Sequence, residues 1–350
     1  EISEWKTVYV GGGTPSLLSC AQVQNLLDGI RKSAPFSAGC EVTFEMNPDD
    51  ASGEFLRSCE SAGVNRLSMG IQALDDKALK SVSRGSSEKI ILSALDLLEK
   101  FWNGRLSVDF IAGLPNHTYD SFKNQFEILK NYPKIDHVSL YTLTVEENTP
   151  LFKKIGRGAV RFSEEKADKM WILGRSILER AGFSQYEVSN FARAGAESLH
   201  NTVYWKQENY VGIGAGASGT IYDFEKKKAT RWTNALSISA YIRGVEEEFS
   251  SSCRNFSFLK RNVECLDEKT LEFEFLLLGF RRLAGVSERD FASRFKKSLA
   301  VRIGADKSGG IFSQWKKNRL ARVQKTGGDT IYSLNRRGIL LLNRFLEELI

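Results

Sequence analysis

The sequence predicts an α/β protein, a partial (β/α)6 parallel barrel followed by a small C-terminal helical domain of winged-helix character. Three observations predict it. Short β-rich runs alternate with helical stretches through the first two-thirds of the 350 residues, and the distinctive polar residues stand directly after those runs. Near the C-terminus a Gly-Gly-Asp turn between two apolar runs marks a hairpin.

The β-rich runs fall at 7–10, 41–46, 66–71, 107–114, 137–143 and 185–191. They read as apolar with little alternation, as in strands covered on both faces. Between them, segments such as 90–101 and 162–181 carry apolar residues at helical spacing. Six such units suit a partial barrel with right-handed crossovers, which places ligands at the C-terminal ends of the strands. The barrel and its extension are expected over residues 1–245 and a linker with acidic and serine clusters over 246–266. The C-terminal domain is expected over 267–350, with helices at 271–283, from Ser287 and up to Ile350, and a hairpin around Gly327-Gly328-Asp329.

Composition removes several classes. No apolar run approaches the roughly 20 residues of a membrane-spanning helix. The net charge of +6, from 49 basic and 43 acidic residues, lacks the dense Lys/Arg blocks of a dedicated nucleic-acid protein, and the run Lys226, Lys227, Lys228 reads as a solvated turn. Cys20, Cys40, Cys59, Cys253 and Cys265 are odd in number, far apart and without C-x-x-C spacing. They read as structural thiols in a reducing, cytoplasmic compartment rather than as a disulfide framework or a ready-made cluster site.

The first run leads into Gly11-Gly12-Gly13-Thr14-Pro15-Ser16. Such a turn lets a ligand approach the backbone, although it serves equally as a bare tight turn or a phosphate loop. The second run ends in Glu45-Met46-Asn47-Pro48, delivering a carboxylate that either accepts ribose hydroxyls or pairs with a loop arginine. Gln72 closes the third run, Arg84 follows twelve residues on, and Asp109 sits in the fourth ahead of Gly113-Leu114-Pro115. An amide, a guanidinium and two carboxylates around one strand-end cavity match the polar parts of an amino-acid nucleoside, while each alone has an ordinary structural explanation.

Taken in order, GGGTPS, E-x-N-P, the Gln of SMGIQ, the Arg of VSRG and DFIAGLP resemble the radical S-adenosylmethionine proteins of the oxygen-independent coproporphyrinogen III oxidase family. Tyr186 to Ala192 (YEVSNFA), His200 to Trp205 (HNTVYW) and Gly212 to Ala217 (GIGAGA) make the chain most similar to the HemW-type haem chaperone branch. The resemblance implies that Gly12, Gly13 and Thr14 meet the methionyl end of S-adenosylmethionine, Glu45 and Asp109 its ribose region, and Gln72 and Arg84 its remaining polar groups. It also makes His200 the axial ligand of haem iron, with Tyr204 and Trp205 lining an apolar haem face or anchoring a loop. A [4Fe-4S] cluster is implied for the full-length protein only. The family binds it through C-x-x-x-C-x-x-C some fifty residues before the glycine turn, whereas ten residues precede Gly11 here and the chain opens on Glu1. The chain is therefore expected to be an N-terminally truncated member, unable by itself to cleave S-adenosylmethionine reductively, and no catalytic residue is assigned. Ser86 and Ser218 stand where the family commonly has histidines.

Three functions follow as expectations. One is haem chaperoning with delivery to an acceptor protein. Another is coproporphyrinogen III oxidation in porphyrin biosynthesis, and the third a non-catalytic adaptor role for the C-terminal domain.

Overall fold

The computed structural model describes residues 2–250 and 262–349. Its contacts divide the chain into two compact units, Glu1–His200 and Asn201–Ile350.

The first unit is built on strands β1 (Trp5–Val10), β2 (Phe36–Met46), β3 (Arg66–Gln72), β4 (Arg105–Ala112) and β5 (Ile135–Thr142), with the short β6 (Ser184–Gln185) and β7 (Asn190–Ala192). The sheet order is β1-β2-β3-β4-β5-β7-β6, and β1 through β5 run parallel. Helices α1 (Cys20–Ser33), α2 (Gly53–Ser61), α3 (Asp76–Ser81), α4 (Glu88–Phe101), α5 (Tyr119–Leu129), α6 (Pro150–Gly156) and α7 (Glu164–Arg180) fill the crossovers. Side chains of Ser19, Ser52, Asp75, Ser87, Thr118, Thr149 and Ser163 accept hydrogen bonds from backbone amides in the first turns. Those residues satisfy donors that the helix itself leaves unpaired, which is why the helices begin there.

The strands alternate far more than the sequence reading expects. Val8, Val42, Phe44, Leu67, Met69, Val108, Phe110, Val138 and Leu140 point to one side and form a single core with Val23, Leu27, Phe55, Leu56, Leu95, Leu98, Phe122 and Met170 of the helices. By the two-residue period of a strand, the intervening positions face the other way: Thr7 and Tyr9, Glu41 and Glu45, Arg66 and Ser68, Ser107 and Asp109, His137 and Ser139. The parallel register sets them side by side, with Thr7 opposite Glu41, Glu45 opposite Ser68, Gly70 opposite Asp109 and Asp109 opposite Ser139. One face is apolar under helices and the other polar, which corrects the expectation of two apolar faces.

The sixth run is also corrected. Residues 185–191 form a tight reversal between β6 and β7, which pair antiparallel, rather than one strand. Tyr186 N–H donates to Asn190 O at 3.1 Å, and Ser189 N–H to the Glu187 carboxylate at 3.0 Å.

The second unit begins within α8 (Leu199–Trp205) and continues with the antiparallel sheet β8 (Ser218–Asp223), β9 (Lys228–Thr233) and β10 (Asn262–Leu266), and with α9 (Ile238–Ser250). The expected linker at 246–266 is therefore helix up to Ser250 and strand from Asn262. Its stretch 251–261, with Cys253, lies outside the described residues. The contact division at His200 also differs from the boundary expected at 245. Beyond Asp267 come α10 (Glu268–Gly279), β11 (Val286–Ser287), α11 (Glu288–Phe295), α12 (Leu299–Arg302), α13 (Ile311–Lys317), β12 (Ala321–Thr326), β13 (Asp329–Leu334) and α14 (Leu342–Leu349). Their order and the sheet β11-β13-β12 are those of a winged helix. Thr326 pairs with Asp329, and Gly327 and Gly328 take φ of 59° and 74°. A two-residue turn with left-handed backbone at both positions explains why glycines stand there.

A buried ion pair ties the end of the first unit to its sheet. Arg66 Nη1 lies 3.6 Å from Glu41 Oε2 and donates to Ala196 O at 3.1 Å. Glu41 accepts from Ser198 Oγ at 3.2 Å, Leu199 N–H at 3.1 Å and His200 N–H at 2.9 Å. Removing one partner strands the other charge in the interior, so Glu41→Ala is expected to cost about 3–5 kcal/mol. Urea unfolding of the variant beside the parent chain measures it.

Candidate functional site

The polar strand face opens into a cavity of about 210 Å³ lined by Gly13, Thr14, Pro15, Ser16, Glu45, Met46, Asn47, Ser68, Gly70, Gln72, Arg84 and Asp109. Of the seven residues singled out for the cofactor, six line it. Gly12 is not among the lining residues, and its N–H donates to Glu45 Oε2 at 3.1 Å. Gly12 and Gly13 have φ of 79° and 71°, which a turn of this shape reserves for glycine.

Gly70 lets two of the polar side chains converge. A Cβ there would lie 2.9 Å from Gln72 Nε2 and 3.2 Å from an Arg84 nitrogen, so both side chains cross bare backbone. Arg84 donates to Asn47 Oδ1 at 2.8 Å and Gly70 O at 3.1 Å, which aims its guanidinium at the cavity. Gln72 follows a register shift in β3 and sits at φ 70°. A left-handed non-glycine costs roughly 1–3 kcal/mol and persists only where the surroundings hold it. Asp109 accepts from Ser68 Oγ at 3.2 Å. Burial and then the neighbouring Glu45 charge push its carboxyl up to about 6, against opposing hydrogen bonds from Ser139 and Ser68.

Two carboxylates facing one small cavity, with a guanidinium at the rim, suit a ligand that carries positive charge, hydroxyls and a carboxylate of its own. The donor and acceptor set therefore fits S-adenosylmethionine. Among the described residues no three His, Cys, Asp or Glu side chains gather as a metal site. Burial pushes the Cys40 and Cys59 thiols up to about 11 and about 12, so neither is a ready thiolate.

Three residues that the sequence reading did not single out hold His200, and one of them, Tyr9, also reaches the cavity wall. Tyr9 donates to Glu45 Oε1 at 2.6 Å, and its ring stacks on the His200 imidazole with centroids 5.0 Å apart. Thr7 Oγ1 lies 2.9 Å from His200 Nδ1, and Glu41 takes the His200 backbone N–H. Burial holds the imidazole below its ordinary pKa. His117 and His137 are fully buried instead. His137 has Nδ1 on Ser107 Oγ at 2.7 Å and Nε2 on Tyr186 OH at 2.9 Å, and Tyr186 OH also accepts from Ser198 N–H. The signal that marks these residues is the strand alternation, Thr7 with Tyr9 and Glu41 with Glu45.

Other quoted motifs have structural places. Ser86 donates to Asp49, and Ser218 bonds Thr233 across β8 and β9 at 2.8 Å. In the second unit Asn234 Nδ2 holds the carbonyls of Gly212 and Gly214, and a Cβ at Gly212 would lie 2.1 Å from Ser218 O. Trp205 lies beneath Arg281, and Tyr204 packs edge-on against Tyr210.

A model of the Radical SAM superfamily matches residues 2–129, the segment that supplies every lining residue of the cavity. The coproporphyrinogen III oxidase HemN of Escherichia coli, described as a radical SAM enzyme, has the same fold: TM-score 0.77 over 98% of this chain and 77% of that one, at 19% identity. Fold and cavity thus define a radical SAM protein. Heme chaperone HemW of Lactococcus lactis is 35% identical over 301 residues, covering 85% of this chain and 75% of the relative. Radical S-adenosyl methionine domain-containing protein 1, mitochondrial, of Bos taurus is 44% identical over 298 residues, covering 85% and 65%. The chain belongs to the HemW-type family of radical SAM proteins, and it spans about two-thirds to three-quarters of the length of these two relatives.

The raised Asp109 carboxyl makes stability depend on pH. The folded state disfavours the ionised form, so the penalty sets in near pH 4, grows until about pH 6 and is constant above it. Asp109→Asn is expected to stabilise the ligand-free protein by about 3 kcal/mol at pH 7.5 and by less than about 1 kcal/mol near pH 4. Denaturant melts at the two values check the sign.

Proposed function

We propose that this chain is the nucleoside- and haem-binding portion of a haem chaperone, holding S-adenosylmethionine in the strand-end cavity and haem iron on His200, for delivery to an acceptor protein. The supporting observation is that one polar sheet face carries both the cavity and, on the strand entering the glycine turn, the residues that hold the half-buried imidazole. The relatives named heme chaperone agree with it.

In this proposal Arg84 takes the methionyl carboxylate, Gln72 its polar neighbour and the glycine turn its amino end, while Glu45 and Asp109 accept the ribose hydroxyls. Bound next to a reduced [4Fe-4S] cluster, S-adenosylmethionine supplies radical chemistry. The chain's five cysteines contain no C-x-x-x-C-x-x-C run, so cluster-dependent steps lie with residues other than these. What this chain's residues do is bind and orient. Two negative side chains attract the sulfonium and ammonium groups, and the Gly12 N–H on Glu45 keeps that carboxylate turned to the cavity.

No helix among the described residues is long and apolar enough to cross a membrane. The compartment we infer is a reducing one, the cytoplasm in a bacterial setting, since Cys20, Cys40, Cys59 and Cys265 are free thiols.

Two titrations test the proposal. S-adenosylmethionine binding, followed by calorimetry, is expected to weaken about tenfold to a hundredfold in Glu45→Gln and in Arg84→Ala, the loss of one charged hydrogen bond. Haem titration is expected to give a Soret band whose position shifts, with weaker binding, in His200→Ala. Unchanged S-adenosylmethionine affinity in both variants would remove the cavity from the account. An unchanged Soret spectrum would remove His200.

A further inference from the structure

The imidazole of His200 is fixed from three directions. Glu41 takes its backbone N–H at 2.9 Å, Tyr9 lies along its ring face with an interplanar angle of 24°, and Thr7 Oγ1 meets Nδ1 at 2.9 Å. Thr7 and Tyr9 are two apart on β1, so the strand period points both at the same ring. Glu41 stands opposite Thr7 in the adjacent strand. Backbone, ring plane and ring nitrogen are thus each set by a different side chain, and Thr7 is the one of these that meets a ring nitrogen.

We propose that Thr7 is the positioning residue for haem ligation: it accepts the Nδ1 proton of His200, selects the tautomer that presents Nε2 to iron, and makes the imidazole a stronger donor. This inference rests on the reading of His200 as the haem ligand. The physical argument is the one that governs metal-bound histidines in general. An imidazole that ligates through one nitrogen carries its proton on the other, and an acceptor placed there fixes the ring's orientation and raises its basicity. A threonine hydroxyl is a weaker acceptor than a carboxylate, so it orients the ring without pulling the proton far from nitrogen. That is the balance wanted in a protein that must give its haem away. The Glu41 carboxylate engages the backbone amide of His200 rather than its ring.

The test uses the full chain with haem, in four variants. Thr7→Val keeps the β-branched shape that a strand favours and removes the hydroxyl, Thr7→Ser restores it, Thr7→Ala removes it with no added methyl, and His200→Ala removes the ligand. The expected result is about tenfold weaker haem binding in Thr7→Val and Thr7→Ala, and a lower Fe–His stretching frequency in the resonance Raman spectrum of their ferrous five-coordinate state, with Thr7→Ser at parental values. A role confined to packing leaves that frequency unmoved. Parental affinity and stretching frequency in whichever of Thr7→Val and Thr7→Ala folds, alongside a spectrum abolished by His200→Ala, overturn the assignment of Thr7 and leave the haem reading standing. A Soret spectrum indifferent to His200→Ala overturns the haem reading itself.

Discussion

The two-residue period of parallel strands is the constraint on which the rest of this structure depends. Because neighbouring strands are in register, a polar residue at every second position does not scatter. It assembles into a continuous polar face, from Thr7 and Tyr9 through Glu41, Glu45, Ser68 and Asp109 to Ser139. The opposite face is apolar by the same arithmetic and carries the helices. A slip of one residue in any strand would exchange the two faces, sending carboxylates under the helices and phenylalanines into the cavity. The core thus protects the register, and the register builds the site.

Polar groups on such a face are tolerable only when they satisfy one another, since an unpartnered buried dipole costs about as much as a well-packed side chain contributes. Two networks meet most of the requirement here, with Arg66 Nη2 left without a hydrogen-bond partner. Glu41 and Arg66 neutralise each other while gathering the carbonyl of Ala196 and the donors of residues 198–200. His137, with its ring committed to Ser107 and Tyr186, passes the chain of contacts on to Ser198. Both converge on the segment that precedes His200. A residue seven positions from the start of the chain and one two hundred positions in are thereby held in contact by groups that belong to neither motif.

Much of this was legible in the sequence, and the exceptions have physical reasons. Gly13, Thr14, Glu45, Gln72 and Arg84 sit in loops or near strand ends where their residue types are unusual, Asp109 is an acid within an apolar strand that leads into Gly113-Leu114-Pro115, and the six do meet around one cavity. The parallel order and the Gly327-Gly328 turn were equally readable. Tyr9, Thr7 and Glu41 were hidden because they lie inside strands, where they read as strand formers or as a single charge, and their meaning comes from partners far along the chain. Residues 185–191 looked like one strand because Tyr186, Val188 and Phe191 are strand formers and the reversal between β6 and β7 carries neither Gly nor Pro to mark it. The stretch 246–266 looked like a linker because its acidic and serine content masks a helix and an edge strand whose burial is modest.

Tyr9 has obligations in two directions, one to Glu45 in the cavity wall and one to the imidazole of His200. Burial and the adjoining carboxylate hold its phenol protonated well above the ordinary range, so the hydroxyl acts as a fixed donor at any physiological pH. For anyone redesigning the cavity toward another nucleoside, this makes the wall nearest β1 the wrong place to begin, because remodelling there disturbs the imidazole as well. Gln72 and Arg84, anchored on Gly70 and Asn47 at the far side, can be exchanged without touching that shared partition.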